Sequence, residues 1–217
     1  MRGDNPILLD PLYAILDVQL CRERALDPLA ILDAFLAGGA RLIQLRDKSP
    51  SSAERLSLAD AAVRRVRAAG VRIVVNDRAD VARLSGADGV HVGQDDLPVE
   101  DVRTILGTDA IVGVSTHDHA QIEDAARSSA TYIAVGPIYA TATKDTGYGA
   151  RGLELVRHAA AGEKPVVAIG GITVERAPDV IGAGATSVAV ISDLLRGDPA
   201  ETVREFRRRL NEAGNGR

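Results

Sequence analysis

Apolar residues in this chain gather into short, near-continuous runs, separated by longer stretches in which they recur every three or four positions. The runs are LYAILD (Leu12–Asp17), RLIQLRD (Arg41–Asp47), RIVVND (Arg72–Asp77), GVHVG (Gly89–Gly93), IVGVST (Ile111–Thr116), YIAVG (Tyr132–Gly136), PVVAIGG (Pro165–Gly171) and SVAVIS (Ser187–Ser192). Short runs of this kind, rich in Val and Ile and without clean alternation, predict strands covered by helices on a parallel sheet. The intervening stretches predict helices. DPLAILDAFLAG has a proline for its first turn and a glycine to stop it, and SPSSAERLSLADAAVRRVRAAG opens on serine caps and ends at Gly70. ADVARLSG, LPVEDVRTILG, DHAQIEDAARSS, LELVRHAAAG, TVERAPDVIGAG and PAETVREFRRRL follow in turn. In TVERAPDVIGAG, Pro178 is expected to shape or break the helix partway.

Eight alternating strand–helix units with no spare segment predict one (β/α)₈ TIM barrel over residues 1–217, with a doubly wound open sheet as the structural alternative. The tail over about 211–217, NEAGNGR, reads as frayed, and no change of composition marks a domain boundary. Composition narrows the class of partner. A formal net charge of −4 argues against a general nucleic-acid binder. The aromatic content of 3%, with no Trp, argues against stacking platforms for single strands. An anionic substrate must then rely on local cations rather than on the overall field. The one cysteine, Cys21, excludes an internal disulfide and suits a reducing compartment. No run is long enough to span a bilayer, and MRGDNPILLDP lacks the layout of a signal peptide, so a cytoplasmic protein without membrane partners is expected.

In a barrel of this class the chemistry lies at the carboxyl ends of the strands. Those ends carry Gln44, Arg46 and Lys48; Asn76 and Asp77; His91, Gln94, Asp95 and Asp96; Ser115, Thr116 and His117; Thr141, Thr143 and Lys144; Gly170 and Gly171; Ile191 and Ser192. The opposite ends read as unremarkable, so polarity is expected to be one-sided. The glycines after the seventh strand, with Ser192 after the eighth, fit a phosphate site built from backbone N–H groups, or else a plain tight turn. Arg46, Lys48 and Lys144 beside Asp77 and Asp96 suit a Mg²⁺–diphosphate complex, because the carboxylates would repel an anion unless a metal lay between. The alternative for these charges is a surface salt-bridge network. His91 stands inside an apolar run and suits a structural or a catalytic role. His117 and His119 open a helix and could be solvated, and His158 reads as structural. No His/Cys spacing fits zinc, and neither a nucleophile elbow nor a glycine-rich phosphate loop is present.

Taken in order, QLRDK, VNDRADVA, GVHVGQDDLP, GVSTH, YIAVGPIYATATK, VAIGGI and SVAVIS resemble the thiamine-phosphate synthase family, over about Leu12 to Leu195. The resemblance implies a (β/α)₈ barrel that joins 4-amino-5-hydroxymethyl-2-methylpyrimidine diphosphate to hydroxyethylthiazole phosphate, releasing diphosphate. It implies that Gln44, Arg46, Lys48, Asn76, Ser115 and Lys144 hold the pyrimidine diphosphate, with Arg46, Lys48, Ser115 and Lys144 serving catalysis. Asp77 and Asp96 would ligate Mg²⁺, Thr141 and Thr143 would contact the thiazole phosphate, and its phosphate would rest on Gly171, Ile191 and Ser192. The implied mechanism is dissociative: diphosphate departs first and the thiazole nitrogen captures a methylene cation. Two departures stand out. YATATK lacks the proline that many relatives carry beside those threonines, and LYAILD lacks a threonine before its aspartate. Two alternatives remain at this point, a thiazole tautomerase using His117 as acid and base, and a non-catalytic regulator that binds thiamine phosphate.

Overall fold

The computed structural model describes residues 9–141 and 147–214. Eight parallel strands follow in chain order: β1 (Leu12–Asp17), β2 (Leu42–Arg46), β3 (Arg72–Asn76), β4 (Gly89–Val92), β5 (Ile111–Thr116), β6 (Tyr132–Val135), β7 (Val166–Ile169) and β8 (Ser187–Val190). Each pairs with the next, and β8 returns to β1 with Tyr13 opposite Ala189, which closes the barrel. Closure rules out the open sheet.

The pleat explains why the strand runs show so little alternation. Side chains on one face of each strand, among them Tyr13, Ile15, Leu42, Val74, Ile111, Tyr132, Ala134, Val167 and Ala189, fill the barrel interior. Those on the other face, among them Leu12, Leu16, Ile43, Leu45, Ile73, Val75, Ile133 and Val188, pack under the helices. Both faces are buried, so both must be apolar.

The helices are α1 (Val18–Glu23), α2 (Pro28–Ala37), α3 (Ser52–Ala68), α4 (Ala79–Ser85), α5 (Val99–Leu106), α6 (His119–Arg127), α7 (Gly152–Ala160), α8 (Ala177–Gly182) and α9 (Pro199–Gly214). Several starts are written in the sequence. Asp27 caps α2 by accepting from Leu29 N, Ser51 caps α3 through Glu54 N, and Asp118 caps α6 through Gln121 N.

The structure corrects three expectations. Helix α1 was not expected; it exists because Asp17, ending β1, accepts from Leu20 N and so starts a helix at once. Pro178 does not break α8 partway but stands in its first turn, where a missing N–H leaves nothing unsatisfied. Helix α9 continues through Gly214, with Phe206, Leu210 and Ala213 on one apolar stripe against the core, and residues 215–217 of the tail read as frayed lie outside the described residues. Charge is also not confined to the carboxyl ends. At the opposite mouth Arg41, Arg72 and Arg207 border a second cavity, and Arg207 pairs with Asp10 at 2.7 Å.

Candidate active site

The carboxyl ends of the strands open into a cavity of about 340 Å³. Gln44, Arg46, Asn76, Ser115, Thr141, Gly171, Ile191 and Ser192 all line it, so eight of the sequence-predicted residues converge on one space. Thr143 and Lys144 lie outside the described residues. Asp95 is exposed.

The floor of the cavity is a chain of buried hydrogen bonds that crosses five strands. Gln44 Nε2 donates to Tyr13 Oη (3.1 Å), and Tyr132 Oη donates to the same oxygen (3.1 Å). His91 Nδ1 lies 3.0 Å from Tyr132 Oη, and His91 Nε2 lies 2.8 Å from Ser115 Oγ. With the Tyr132 proton directed to Tyr13, Nδ1 donates to the Tyr132 oxygen and Nε2 accepts from Ser115. The register sets this row. His91, Gly113 and Tyr132 stand level on β4, β5 and β6. A Cβ at Gly113 would come within 2.0 Å of the Tyr132 ring, so glycine there lets the ring reach His91, on which it stacks at 5.8 Å. Burial pushes the Tyr13 hydroxyl up to about 12 and that of Tyr132 well above the usual phenol value. Both stay neutral in any ordinary solution.

Charge sits at the rim. Arg46 forms an ion pair with Asp17, whose side chain is only 3% exposed. Lys48 pairs with Asp77 beside the cavity. The surface-network alternative therefore describes part of what is seen, since both cations are paired, but Arg46 is largely buried within the cavity wall rather than on an open surface. Asp77 and Asp96 come together. Burial raises the Asp96 carboxyl first, Asp77's charge and hydrogen bonding raise it further, and Gly93 N, donating at 2.7 Å, works the other way. Two carboxylates held against each other offer oxygen ligands of the kind a hard divalent cation takes. Among the described residues no cluster of three or more His, Cys, Asp or Glu is placed to hold a metal. A pair suits Mg²⁺, which keeps waters and completes its shell with substrate phosphates. Asn76 lines the cavity while Asp77 stands beside it.

The third wall is a glycine corner. Gly170 and Gly171 have φ of 102° and 62°, and a Cβ on Gly171 would meet Ala140 O at 2.6 Å. The corner thus packs directly on the segment after β6, where Tyr139 N donates to Gly170 O (3.0 Å). Among the described residues no acceptor takes the backbone N–H of Gly171 or of Ile191. A 3₁₀ turn, Ser192–Leu195, follows β8 at the same place. His117 also lines the cavity, with Nδ1 2.6 Å from Gly136 O and its ring stacked on Tyr148 at 4.5 Å.

The family model for thiamine monophosphate synthase matches residues 12–194, from β1 into the turn after β8. The chain belongs to the thiamine monophosphate synthase family. It is 46% identical over 184 residues to the thiamine-phosphate synthase of Roseiflexus castenholzii, covering 84% of this chain and 80% of that one. It is 43% identical over 196 residues to that of Acidothermus cellulolyticus, covering 88% and 92%. Among solved structures, the thiamine phosphate pyrophosphorylase from Pyrococcus furiosus superposes with a TM-score of 0.84 at 30% identity, covering 93% of this chain and 96% of that one.

Within this thiamine monophosphate synthase fold, several residues at or next to the site carry little or no signal in the sequence. Tyr13 and Tyr132 read only as strand residues, because nothing in a parallel run says which face looks inward. His91 stands between two roles in the sequence, and the register turns it inward to Ser115. Asp17 has no role in the sequence-based expectation; its position at a strand end, like that of Asp77, is the signal available. Arg176, on the cavity wall, falls within a predicted helix and has no signal of its own.

Proposed function

We propose that this chain is a thiamine-phosphate synthase, an enzyme that transfers an alkyl group. It joins 4-amino-5-hydroxymethyl-2-methylpyrimidine diphosphate to hydroxyethylthiazole phosphate, giving thiamine phosphate and diphosphate. The observation that carries this reading is the family match over residues 12–194, which takes in every strand that contributes to the cavity.

The bond from the pyrimidine methylene to the diphosphate oxygen breaks, and its electron pair leaves with diphosphate. The thiazole nitrogen then bonds to the methylene carbon. Such a step calls for stabilised negative charge on the leaving group more than for a base. Arg46, Lys48 and Lys144 supply the cations. Asp17 and Asp77 keep Arg46 and Lys48 in place before substrate arrives. Gln44, Asn76 and Ser115 hold the pyrimidine side, and the hydrogen-bonded floor fixes Gln44 and Ser115 in turn. Neutral phenols beneath the site are poor nucleophiles, which leaves a methylene cation free for the thiazole. Asp77 and Asp96 would hold Mg²⁺, which when bound neutralises diphosphate oxygens. Thr141 and Thr143 contact the thiazole partner, and Gly171, Ile191 and Ser192 receive its phosphate.

The same reading makes the chain a cytoplasmic enzyme of small molecules, with neither nucleic acid nor membrane as partner. Its net charge of −4 and its buried free Cys21 support this, and among the described residues no helix is long and apolar enough to cross a membrane. The test is incubation with both substrates and Mg²⁺. Diphosphate release that depends on the thiazole partner is expected, and its absence would refute the reading.

A further inference from the structure

Under the proposed function the glycine corner receives a phosphate, and the role of Arg176 argued below rests on that reading. Backbone N–H groups orient a phosphate, yet a dianion in a partly enclosed cavity also needs charge nearby. Along the wall from β7 through the turn after β8, the described lining residues include one cation, Arg176. The acid on that wall, Asp193, is engaged elsewhere: its Oδ2 accepts from Val174 N (3.1 Å) and its Oδ1 lies 3.8 Å from Arg196.

Arg176 is held in a specific pose. Its Nη1 donates to Gly171 O (2.8 Å), and its guanidinium lies 4.6 Å from the Tyr139 ring centroid. A carbonyl and a ring face fix the plane of the guanidinium without cancelling its charge. The group offers five N–H donors, and the bond to Gly171 uses one of them. The charge thus lines the same cavity as Gly171 and Ile191, whose N–H groups lack acceptors among the described residues.

We infer that Arg176 is a specificity residue for the thiazole substrate, selecting the phosphorylated form over the free alcohol by a charge-assisted contact to its phosphate. The chemical class it recognises is a phosphate monoester, and the pyrimidine diphosphate on the far side of the cavity does not depend on it. A competing role is purely positional, in which Arg176 steadies the Gly171 carbonyl and touches no substrate. The two roles differ in what they predict. A phosphate contact matters only when the phosphate is present, whereas a disordered corner weakens both forms of the acceptor.

The experiment is steady-state kinetics of the wild-type chain, Arg176→Gln and Arg176→Lys, each with hydroxyethylthiazole phosphate and with the unphosphorylated alcohol. The expected result for Arg176→Gln is a KM for the phosphorylated thiazole raised about tenfold, the scale of one charged hydrogen bond. Its KM for the pyrimidine diphosphate should stay within about twofold, and the preference for phosphate over alcohol should shrink by the same factor as the KM rises. Arg176→Lys, which keeps the charge but loses the planar fork, should fall between. Equal losses with both acceptors, or an unchanged preference, would overturn the inference. If Arg176→Gln does not turn over, calorimetric titration with each thiazole applies the same criterion to affinity. A wild-type chain that releases no diphosphate with the two substrates defeats the underlying function instead. When the wild type couples them, the behaviour of the variants bears on Arg176 alone.

Discussion

Asp77 stands in the left-handed region of backbone space, with φ of 63°. A non-glycine residue there costs on the order of 1 kcal/mol or more, and such strain collects where function over-determines a position. Asp77 is over-determined: its N donates to His91 O (2.7 Å), and its carboxylate meets Lys48 and Asp96. Asparagine tolerates the same backbone region and keeps the size, but it removes the negative charge. Asp77→Asn is therefore expected to melt within a few degrees of wild type while losing roughly 10²-fold or more in diphosphate release, since it removes a proposed first ligand. Thermal unfolding and a diphosphate assay across a Mg²⁺ series check this, and full activity would sink the metal assignment. At this scale the acids at the strand ends were legible in the sequence. Their convergence was legible too, since consecutive parallel strands bring Asp77 and Asp96 to one edge; the left-handed backbone at Asp77 and its pairing with Lys48 were not, because they depend on how the strand ends pack.

At the scale of elements, the row His91–Gly113–Tyr132 shows how pairing builds the site. A glycine inside a strand packs nothing of its own and weakens it, so Gly113 needs a reason from its neighbours. The register places the gap beneath the Tyr132 ring, where added volume has nowhere to go. Gly113→Ala should destabilise the chain by about 3 kcal/mol, as overpacking does, and should also lower activity, because displacing Tyr132 releases His91 and through it Ser115. Urea unfolding with parallel kinetics tests it. A variant that keeps both stability and rate would show that the floor plays no part in holding Ser115. The helix boundaries were legible for a different reason, since Asp27, Ser51 and Asp118 satisfy N–H groups a few residues away. Helix α1 escaped because Asp17 serves as strand end, helix cap and partner of Arg46 at once, and a run of apolar letters shows only the first.

Across the whole molecule, folding holds the protons of Cys21, Tyr13 and Tyr132 against alkali, and the first two set the onset. Burial raises Cys21 to about 11, with Asp17 and Asp27 adding to it, and raises Tyr13 to about 12. Unfolded, these groups release their protons at lower pH, so from there upward the unfolded state binds fewer than the folded state. The stability they supply is whole below the ordinary thiol value of 9.0 and is lost as pH rises through 11 and then 12. Urea midpoints should accordingly hold level up to pH 9 and decline above it, and Cys21→Ala should flatten the part of the decline between 9 and 11 whatever its effect at neutral pH. An unchanged slope in that variant would count against the thiol's share. The sequence by itself determined the eight strand–helix units, most of their boundaries and the polar residues at the strand ends, because these follow from local periodicity, capping and composition. Only the closed barrel decided which strand faces look inward, which cation pairs with which carboxylate, and that a tyrosine from β6 and a histidine from β4 share one hydrogen bond. Those contacts depend on register between strands distant in the chain, and register is fixed by the packing of the whole.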